Sequence, residues 1–282
     1  MPNTEKMIKA ELFRAMHHGP PLLVLPNAWD AVSARIVVAG GYPAVATTSG
    51  GVAWALGYAD GERAPWDEVV AATARIARAV SVPVTADIES GYGDSPEAVL
   101  RSVADIIAAG AVGVNLEDGL RDGPLPIRPI GEAAERIAAA RAAGRAAGVP
   151  LVINARTDLY IKNVGDEEGR FDEAVARARA YLAAGADCFY PIALSDPATI
   201  ERLAAAVPAP ININARAGYP TVAEFEALGV RRISTATQLP LIALGVIRQV
   251  VEQMHATHRF DALHAAMTHP EAQHLFAPPA DG

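Results

Sequence analysis

Acidic side chains follow two short apolar runs of this chain, where residue types and spacing favour chemistry. Asp87 and Glu89 lie at the end of the run VPVTADIE, and Glu117 ends the run AVGVNLE. Residues spaced i and i+2 point to the same face of a strand, so we expect Asp87 and Glu89 side by side. Adjacent carboxylates repel each other unless a cation or a proton lies between them.

The three acids predict a metal site. Carboxylate oxygens without histidine or cysteine suit hard cations, which favours Mg²⁺, with Mn²⁺ as a further candidate, over Zn²⁺. The alternative is that these acids cap helices and form structural ion pairs with neighbouring arginines. Histidine is absent between Gly19 and Met254, and lysine occurs only at Lys6, Lys9 and Lys162. A histidine base or a Schiff-base lysine therefore has almost no candidate in the central part of the chain.

Other polar residues after apolar runs predict a site for a substrate anion. Arg156, in INARTD, is placed to clamp a carboxylate, with pairing to Asp158 or a nearby acid as the alternative. Arg216, in NINAR, is a similar candidate. One segment offers hydroxyls and unobstructed backbone N–H groups that could hold a carboxylate or phosphoryl oxygen, although ordinary turns use the same residues: Thr48, Ser49, Gly50 and Gly51.

The elements that must position these residues alternate between strands and helices. The helix SPEAVLRSVADIIAAG has Ser95 as its N-cap and Gly110 as its C-terminal stop, and SDPATIERLAAAV begins at Ser195 or Asp196. Helices of this kind separate short runs rich in branched residues, which predict eight strands: Leu22–Leu25, Ala44–Thr47, Val82–Ala86, Val112–Leu116, Leu151–Ala155, Asp187–Ile192, Ile211–Ala215 and Arg232–Thr235.

This alternation predicts an α/β fold, a single (β/α)₈ barrel domain over residues 1–282. A leading helix is expected over about residues 3–18. A polar helical tail that holds five of the seven histidines is expected over about residues 255–276. The alternative is a doubly wound sheet, but LPNAWDAVSA is not the glycine-rich loop that usually follows its first strand. In a barrel, the functional site lies at the carboxyl-terminal ends of the strands.

Composition limits the classes of function. The chain is 51% hydrophobic and 6% aromatic, so we expect a core of Ala, Val, Ile and Leu. A net charge of −8 without a basic cluster disfavours binding to nucleic acid or to an anionic membrane. The single cysteine, Cys188, lies in a predicted strand as a small core residue and excludes an internal disulfide. No apolar run reaches 18 residues, and a cytoplasmic location is expected.

Several motifs in order resemble the isocitrate lyase/phosphoenolpyruvate mutase superfamily over roughly residues 10–250: PNAWDAVSARIVVAGGYPAVATTSGG, LGYADGE, VPVTADIESGYG, AGAVGVNLEDG and INARTD. The resemblance implies a Mg²⁺-dependent barrel whose last helix is exchanged between subunits of a dimer or tetramer. Members make or break C–C or P–C bonds next to a 2-oxo acid or its enolate. The resemblance assigns the metal to Asp87, Glu89 and Glu117, the substrate carboxylate to Ser49, Gly50 and Gly51, and further site roles to Asp60, Arg156 and Asn214.

The loop after strand four departs from this superfamily. Its lyases carry a Lys-Lys/Arg-Cys-Gly-His loop whose cysteine donates a proton, whereas this chain has EDGLRDGPLPIRPIGEAAERI. The Lys- and Asn-containing version of the mutases is also absent, and Ile192 stands where a glutamate often follows proline. We expect Gly119–Gly131 to be a mobile lid, with a rigid connector as the alternative. Its arginines should bind substrate charge, and proton transfer would then fall to Asp60, Asp122 or water.

The combined expectation is a Mg²⁺-dependent enzyme that acts on a small carboxylate or 2-oxo acid through an enolate. A C–C lyase or an oxo-acid hydrolase is the leading form. The alternatives are an oxo-acid-binding protein with little catalysis and phosphonomutase-type P–C chemistry. A pyruvate-type metal aldolase is a further alternative, but this chain lacks the barrel histidine that such aldolases usually carry. The stretch LPLIALGVIRQVVEQM is apolar on more than one face, which predicts a homodimer or homotetramer.

Overall fold

The computed structural model describes residues 3–121, 124–264 and 267–277. Its strands are β1 Leu23–Leu25, β2 Asn27–Ala28, β3 Val45–Thr47, β4 Val84–Asp87, β5 Gly113–Glu117, β6 Val152–Thr157, β7 Cys188–Pro191, β8 Asn212–Asn214 and β9 Arg232–Ser234. Its helices are α1 Asn3–Ala15, α2 Ala31–Ala39, α3 Ser49–Leu56, α4 Trp66–Ala79, α5 Pro96–Ala109, α6 Ile130–Ala146, α7 Glu167–Ala183, α8 Pro197–Ala206, α9 Val222–Ala227, α10 Gln238–Thr257 and α11 His269–His274.

The strands close into a barrel. Strands β2 to β7 form one parallel sheet, and β1, β9 and β8 form a second one. A parallel bridge between Phe189 and Ile211 joins β7 to β8. At the other junction, β1 pairs with β9, and β2, which continues the same strand beyond Pro26, pairs with β3. The predicted (β/α)₈ barrel is confirmed, because an open doubly wound sheet would leave two unpaired edges.

Asn27 links the two sheets at the point where the first strand of the barrel changes its pairing from β9 to β3. Its Nδ2 donates to the Thr47 carbonyl at 2.7 Å, and its Oδ1 accepts from the Thr235 N–H at 2.8 Å. The side chain thus replaces ladder hydrogen bonds that the interruption at Pro26 removes. Each of the eight predicted runs overlaps an observed strand, with boundaries that differ by one or two residues apart from the added β2.

The predicted helix signals are present. Ser95 caps α5 by accepting from the Ala98 N–H at 3.2 Å, and Gly110 ends that helix with a left-handed φ of 109°. Of the two candidates for α8, Asp196 is the cap, since its carboxylate accepts from the Thr199 N–H at 2.8 Å. These caps satisfy N–H groups that a helix leaves without a partner, so local chemistry alone fixes these ends.

The barrel interior is more polar than the composition suggested. Apolar residues do fill the layer between strands and helices, as predicted. Inside the barrel, however, residues of seven strands surround a cavity of about 20 Å³ whose lining includes Asn115, Asn154, Asn212 and Arg232. Arg232 is among the largest fully buried side chains of the described residues. The expected core of Ala, Val, Ile and Leu is therefore wrong for the barrel axis.

Helix α1 closes the amino-terminal end of the barrel. Phe13 is fully buried, and its ring would contact a Cβ at Gly113 at 2.8 Å, which is why the first residue of β5 is glycine. The His17 Nδ1 donates to the Phe13 carbonyl at 2.8 Å, and the Arg232 Nη1 lies 3.4 Å from the His17 Nε2. The leading helix predicted over residues 3–18 thus ends at Ala15, and the turn that follows it buries His17.

The predicted helical tail over residues 255–276 is largely wrong. Helix α10 ends at Thr257, because His258 adopts a left-handed φ of 51°, and α11 covers only His269–His274. Between these helices, Phe260 and Leu263 are exposed at 72% and 59%, so packing within the described residues does not support a continuous helix. In the described ranges, no helix is both long and apolar enough to span a membrane.

Candidate active site

A cavity of about 210 Å³ opens at the carboxyl-terminal ends of the strands, where the barrel fold predicts the functional site. Most of its lining is polar and charged. We call it the strand-end cavity, and it is lined by Ser49, Asp60, Gly61, Glu89, Glu117, Gly119, Arg121, Arg156, Asp158 and Lys162. Five of these residues were predicted as site residues: Ser49, Asp60, Glu89, Glu117 and Arg156.

Asp87 ends β4, and hydrogen bonds from Asn115, Ser49 and Glu89 fix its carboxylate. The Asn115 Nδ2 donates to Oδ1 at 2.9 Å, and the Asn154 Nδ2 in turn donates to the Asn115 Oδ1 at 2.9 Å. The Ser49 N–H, at the start of α3, donates to the Asp87 Oδ2 at 3.1 Å. Side chains alternate along a strand, so the interior residues of β5 and β6 orient this acid. Sequence reasoning did not assign this role to the two asparagines.

Glu89 lies close to Asp87 because the chain turns after Asp87, and not because the two residues share a strand. Strand β4 ends at Asp87, and Glu89 has a left-handed φ of 52°, so the predicted extended i, i+2 geometry is wrong. The predicted closeness is nevertheless present, because the Glu89 N–H donates to the Asp87 Oδ1 at 3.3 Å. The Glu62 N–H donates to both carboxylate oxygens of Glu89 at 2.9 Å.

Glu117 and Arg156 form an ion pair across neighbouring strands. They are register partners on β5 and β6, and the Arg156 Nη1 lies 2.7 Å from the Glu117 Oε2. The Arg156 Nε donates to the Asp158 Oδ1 at 2.7 Å. Gly119 permits this arrangement, because a Cβ there would lie 2.4 Å from the Asp158 Oδ2. The alternative considered for Arg156, pairing with nearby acids, is thus its arrangement here, at the wall of the cavity.

Arg121 places its guanidinium among the acids. Its Nη2 lies 2.5 Å from the Glu89 Oε2 and 3.7 Å from the Glu117 Oε1, and its Nη1 lies 2.8 Å from the Glu62 Oε2. The loop that carries Arg121 is held by Lys162, whose Nζ donates to the Leu120 carbonyl at 2.6 Å. In this structure the partners of Arg121 are carboxylates of the protein, and the expectation that it binds substrate charge stays a prediction.

Sequence reasoning missed two residues of this arrangement. Glu62 lies within LGYADGE, a motif used only for the resemblance, and Lys162 is the only lysine beyond residue 9. A rare residue type near a strand end was a usable signal for Lys162. Nothing local indicated that Glu62 folds back onto the loop after β4, where its Oε1 accepts from the Ser90 hydroxyl at 2.7 Å.

Burial raises the pKa values of three acids in this cavity, Asp60, Glu89 and Glu117. It raises the pKa of Glu89 to about 7, with a smaller contribution from Asp87 and opposition from the Glu62 N–H and Arg121. It also raises the pKa of Glu117 well above its ordinary value, against the opposing effect of Arg156. Crowded carboxylates in a low-dielectric site stay charged only beside positive charge, so this cluster favours a positive charge close to it.

Asp60 lies at the mouth of the cavity. Partial burial of its carboxyl, followed by the Asp87 carboxylate, raises its pKa. Gly50 makes room for it, because a Cβ at that position would lie 3.1 Å from the Asp60 Oδ2. Gly51 is equally restricted, since a Cβ there would lie 2.8 Å from the Thr48 Cγ2. The two glycines therefore let the start of α3 pack closely at the edge of the cavity.

The remaining predicted residues lie at different distances from the cavity. Thr48 is buried at the N-cap of α3. Asn214 is buried, and its Oδ1 accepts from the Ala193 N–H at 2.9 Å, while its buried Nδ2 has no partner among the described residues. Arg216 is exposed and does not line the cavity. Asp122 lies outside the described residues, and its catalytic role stays a prediction.

Comparisons with known proteins identify the family of this chain. The sequence model of the phosphoenolpyruvate phosphomutase family matches residues 13–255. The chain belongs to this family. The 2-methylisocitrate lyase of Escherichia coli is 36% identical over 207 residues, which cover 72% of this chain and 68% of that protein.

Two solved structures extend the comparison. A provisionally assigned phosphonomutase from Burkholderia cenocepacia has 44% identity and a TM-score of 0.83, and the match covers 88% of this chain and 99% of that one. Phosphonopyruvate hydrolase in complex with oxalate and Mg²⁺ has 25% identity and a TM-score of 0.82, over 95% of this chain and 94% of that one. The predicted superfamily membership is confirmed, as is the prediction of an enzyme of the lyase and hydrolase class.

The donor set of this phosphomutase-family site fits a hard divalent cation. Asp87, Glu89 and Glu117 supply only carboxylate oxygens, from neighbouring strand ends. A positive charge, the Arg121 guanidinium, already lies against two of these acids. In the ranges that the structure describes, no three Asp, Glu, His or Cys side chains converge closely enough to hold a metal ion in this arrangement. The cation site itself remains a prediction from residue types and placement.

Proposed function

We propose that this phosphomutase-family member is a Mg²⁺-dependent enzyme that cleaves or forms the C–C bond next to a small 2-oxo acid, as a lyase or an oxo-acid hydrolase. The observation that carries the proposal is the strand-end cavity, which combines crowded carboxylates with Arg156. The hydrolase relative holds Mg²⁺ and oxalate, a small dicarboxylate. Mn²⁺ would suit the same oxygen donors.

Asp87, Glu89 and Glu117 would hold the cation. When bound, Mg²⁺ would supply Lewis-acid polarisation of the 2-oxo group and charge stabilisation for the enolate. Arg156 would bind a substrate carboxylate by exchanging its contact with Asp158, which lies on the same cavity wall. That exchange keeps the Arg156 guanidinium paired in both states.

The start of α3 would hold the second end of the substrate. The Ser49 N–H is already bonded to Asp87, so the Ser49 hydroxyl and the N–H groups of Gly50 and Gly51, at a helix N-terminus, would meet the anion. Asn214, whose buried Nδ2 has no partner among the described residues, would supply a further donor. Asp60 lies at the mouth with a raised pKa, so it is suited to carry a proton to or from the reacting carbon. Asp122 and water are the other candidates for that step.

Phosphonomutase-type P–C chemistry is the second candidate. The match of 44% identity to the Burkholderia cenocepacia protein favours it. The absence of the Lys- and Asn-containing loop of the mutases disfavours it. Both chemistries require the same cation site and differ in the atom bonded to the substrate carbon, so they share the site residues named above.

Turnover screening tests the proposal. The wild-type protein is incubated with oxaloacetate, methylisocitrate and phosphonopyruvate, each with Mg²⁺ and with a chelator. We expect Mg²⁺-dependent turnover of at least one oxo acid, loss of it in Asp87→Asn, and retention in Asp172→Asn, an exposed control on α7. Tight binding without turnover would instead indicate the oxo-acid-binding protein. The absence of both in a folded protein would contradict the proposal.

We also propose that the protein is a homodimer or homotetramer, formed through α10. This helix exposes Ile242, Ile247 and Val251 at 61%, 59% and 58% of their surfaces. Contiguous apolar surface of this kind commonly marks a protein interface. Light scattering should report a multimer that Ile247→Asp dissociates, and a wild-type monomer at micromolar concentration would contradict it. Exchange of this helix between subunits, like the cytoplasmic location, stays a prediction.

A further inference from the structure

The Arg121 side chain lies among three acidic side chains, in the position that a bound cation would take. Three carboxylates surround it, those of Glu62, Glu89 and Glu117. Its stem packs on Gly61, where a Cβ would lie 3.2 Å from the Arg121 Nε and where φ is 101°. A side chain at residue 61 would therefore displace the arginine. The position of the Arg121 side chain therefore depends on the backbone at Gly61 as well as on the three carboxylates.

The loop that presents Arg121 is fastened on both sides. The Leu120 N–H donates to the Pro126 carbonyl at 3.0 Å, and an antiparallel bridge pairs Gly119 with Ile127. The Lys162 Nζ donates to the carbonyls of Leu120 and Pro126 at 2.6 and 2.9 Å. The position of Arg121 thus follows from the docked position of this loop, and moving the arginine disturbs the loop.

Arg121 is also the wall between two cavities. A second cavity of about 370 Å³ lies beside the strand-end cavity, and both are lined by Gly61, Gly119 and Arg121. Asp94 and Glu62 also line this second cavity. The guanidinium therefore has an adjoining space, lined by acidic residues, that it can enter when its loop is released.

The acids that seat Arg121 include two of the proposed metal ligands. A guanidinium and a divalent cation on the same carboxylates repel each other and compete for the negative charge of those groups. We propose that Arg121 is an internal counter-cation that a divalent cation must displace from Glu89 and Glu117, so that metal binding releases the docked loop. This inference rests on the proposed function, since it assumes that these acids hold the metal.

Competition between Arg121 and the cation predicts a change in cation affinity. If Arg121 only held its loop in place, no such change would be expected. Removing Arg121 leaves the acids without their positive partner, so Arg121→Ala should bind Mg²⁺ or Mn²⁺ on the order of tenfold more tightly than the wild-type protein, in the absence of oxo acid. Arg63→Ala is the matched control, because Arg63 is exposed on the adjacent loop and removes the same charge. Its affinity should stay within about twofold of wild type.

Calorimetric titration of the cation into the three proteins separates the outcomes. Tighter binding in Arg121→Ala alone supports the displacement. Equal or weaker binding in Arg121→Ala, with clear binding in the wild type, overturns the role of Arg121 and leaves the proposed metal site intact. A cation that binds none of the three folded proteins overturns the proposed function itself.

Limited trypsin digestion gives a second readout without activity. Trypsin needs an accessible Arg121 side chain to cut the bond that follows it, and Arg128 is protected from cutting by Pro129. Mg²⁺ should accelerate cutting after Arg121 severalfold relative to chelator, while cutting after the exposed Arg216 serves as the reference. Protection of Arg121 by Mg²⁺, or an unchanged rate, would overturn the proposal.

Discussion

The two ends of the barrel make their turns in different ways. At the amino-terminal end, glycines take the left-handed conformations that follow helices: Gly41, Gly110, Gly148, Gly185 and Gly229. At the carboxyl-terminal end, positive φ values fall on glycines such as Gly61 and Gly91 and also on residues with side chains: Glu62, Glu89, Tyr92, Asn163, Ala193 and Ala236. A left-handed φ costs a non-glycine residue about 1 kcal/mol or more, so strain is concentrated at one end.

The difference shows which end the sequence optimises for stability. Glycine turns are free of strain, and α1 seals that end with Phe13 and His17. The strained residues at the other end include Glu62 and Glu89, whose side chains meet around Arg121. Backbone strain that places functional side chains is expected beside a site and not at a closed end. Each prediction below changes one end and asks whether the other responds.

The largest effect is expected from Glu89→Gln. Loss of one proposed metal ligand should lower kcat/KM for the oxo-acid substrate about 10³-fold. Stability should not fall, because burial already disfavours the ionised form of this side chain. Chemical denaturation and steady-state kinetics check the two halves of the prediction. A large loss of stability would show that this acid serves the fold, as the closed end does.

At the closed end, His17 should make stability depend on pH. Burial, followed by the charge of Arg232, lowers the pKa of His17 to about 3. Its unfolded pKa is about 6.5, so below that pH the unfolded state takes up a proton that the folded state refuses. This contribution to stability is complete above pH 6.5 and falls by about 2 kcal/mol by pH 5.

Comparison with His17→Gln isolates this contribution, because both proteins carry the same carboxyl groups. The difference in unfolding free energy between wild type and variant should shrink steadily from pH 7 to pH 5. A difference that is constant over this range would show that His17 titrates alike in both states. Metal-dependent turnover measured at one pH should be the same in both proteins.

Gly110→Ala should cost about 1–2 kcal/mol of stability, because its φ of 109° strains any side chain. The new Cβ would also lie 3.1 Å from the Ala77 Cβ. Gly131→Ala is the matched control, since open space surrounds its Cβ in α6. Thermal denaturation should separate the two variants while kcat/KM stays at the wild-type value. A change of activity in Gly110→Ala would break the separation of the two ends.

The smallest effect is expected from Ala193→Gly at the strained end. Its φ of 68° costs alanine more than glycine, so stability should rise by about 0.5 kcal/mol. Ala198→Gly, in the first turn of α8, should instead lower stability by a similar amount. A loss of stability in Ala193→Gly would show that this residue is not strained.

The same contrast explains what the sequence could predict. Helix stops such as Gly110 follow from local chemistry, so the closed end was predictable within one or two residues. The site residues Asp87, Glu117 and Arg156 were predictable because parallel strands end at a common edge. The turn at Glu89 was not, because an i, i+2 spacing reveals nothing about where a strand stops.

Contacts between residues far apart in the sequence could not be predicted from local sequence patterns. The pairing of Arg121 with Glu62 joins residues 59 positions apart through two loops, and no periodicity encodes it. The polar residues along the barrel axis, such as Asn154 and Arg232, could not be predicted either. Composition does not show which side chains of a strand face the barrel interior and which face the helices. The interruption of the tail at His258 depends on missing packing partners and not on a local stop signal.

The central claim is that the carboxylates at the open end bind an oxo acid through a divalent cation. Calorimetric titration of oxalate, a dianion that resembles the enolate, tests it most directly. We predict binding to the wild-type protein in Mg²⁺, no binding in chelator, and no binding to Asp87→Asn in Mg²⁺. Equal oxalate affinity with Mg²⁺ and with chelator, or in wild type and Asp87→Asn, would contradict the claim.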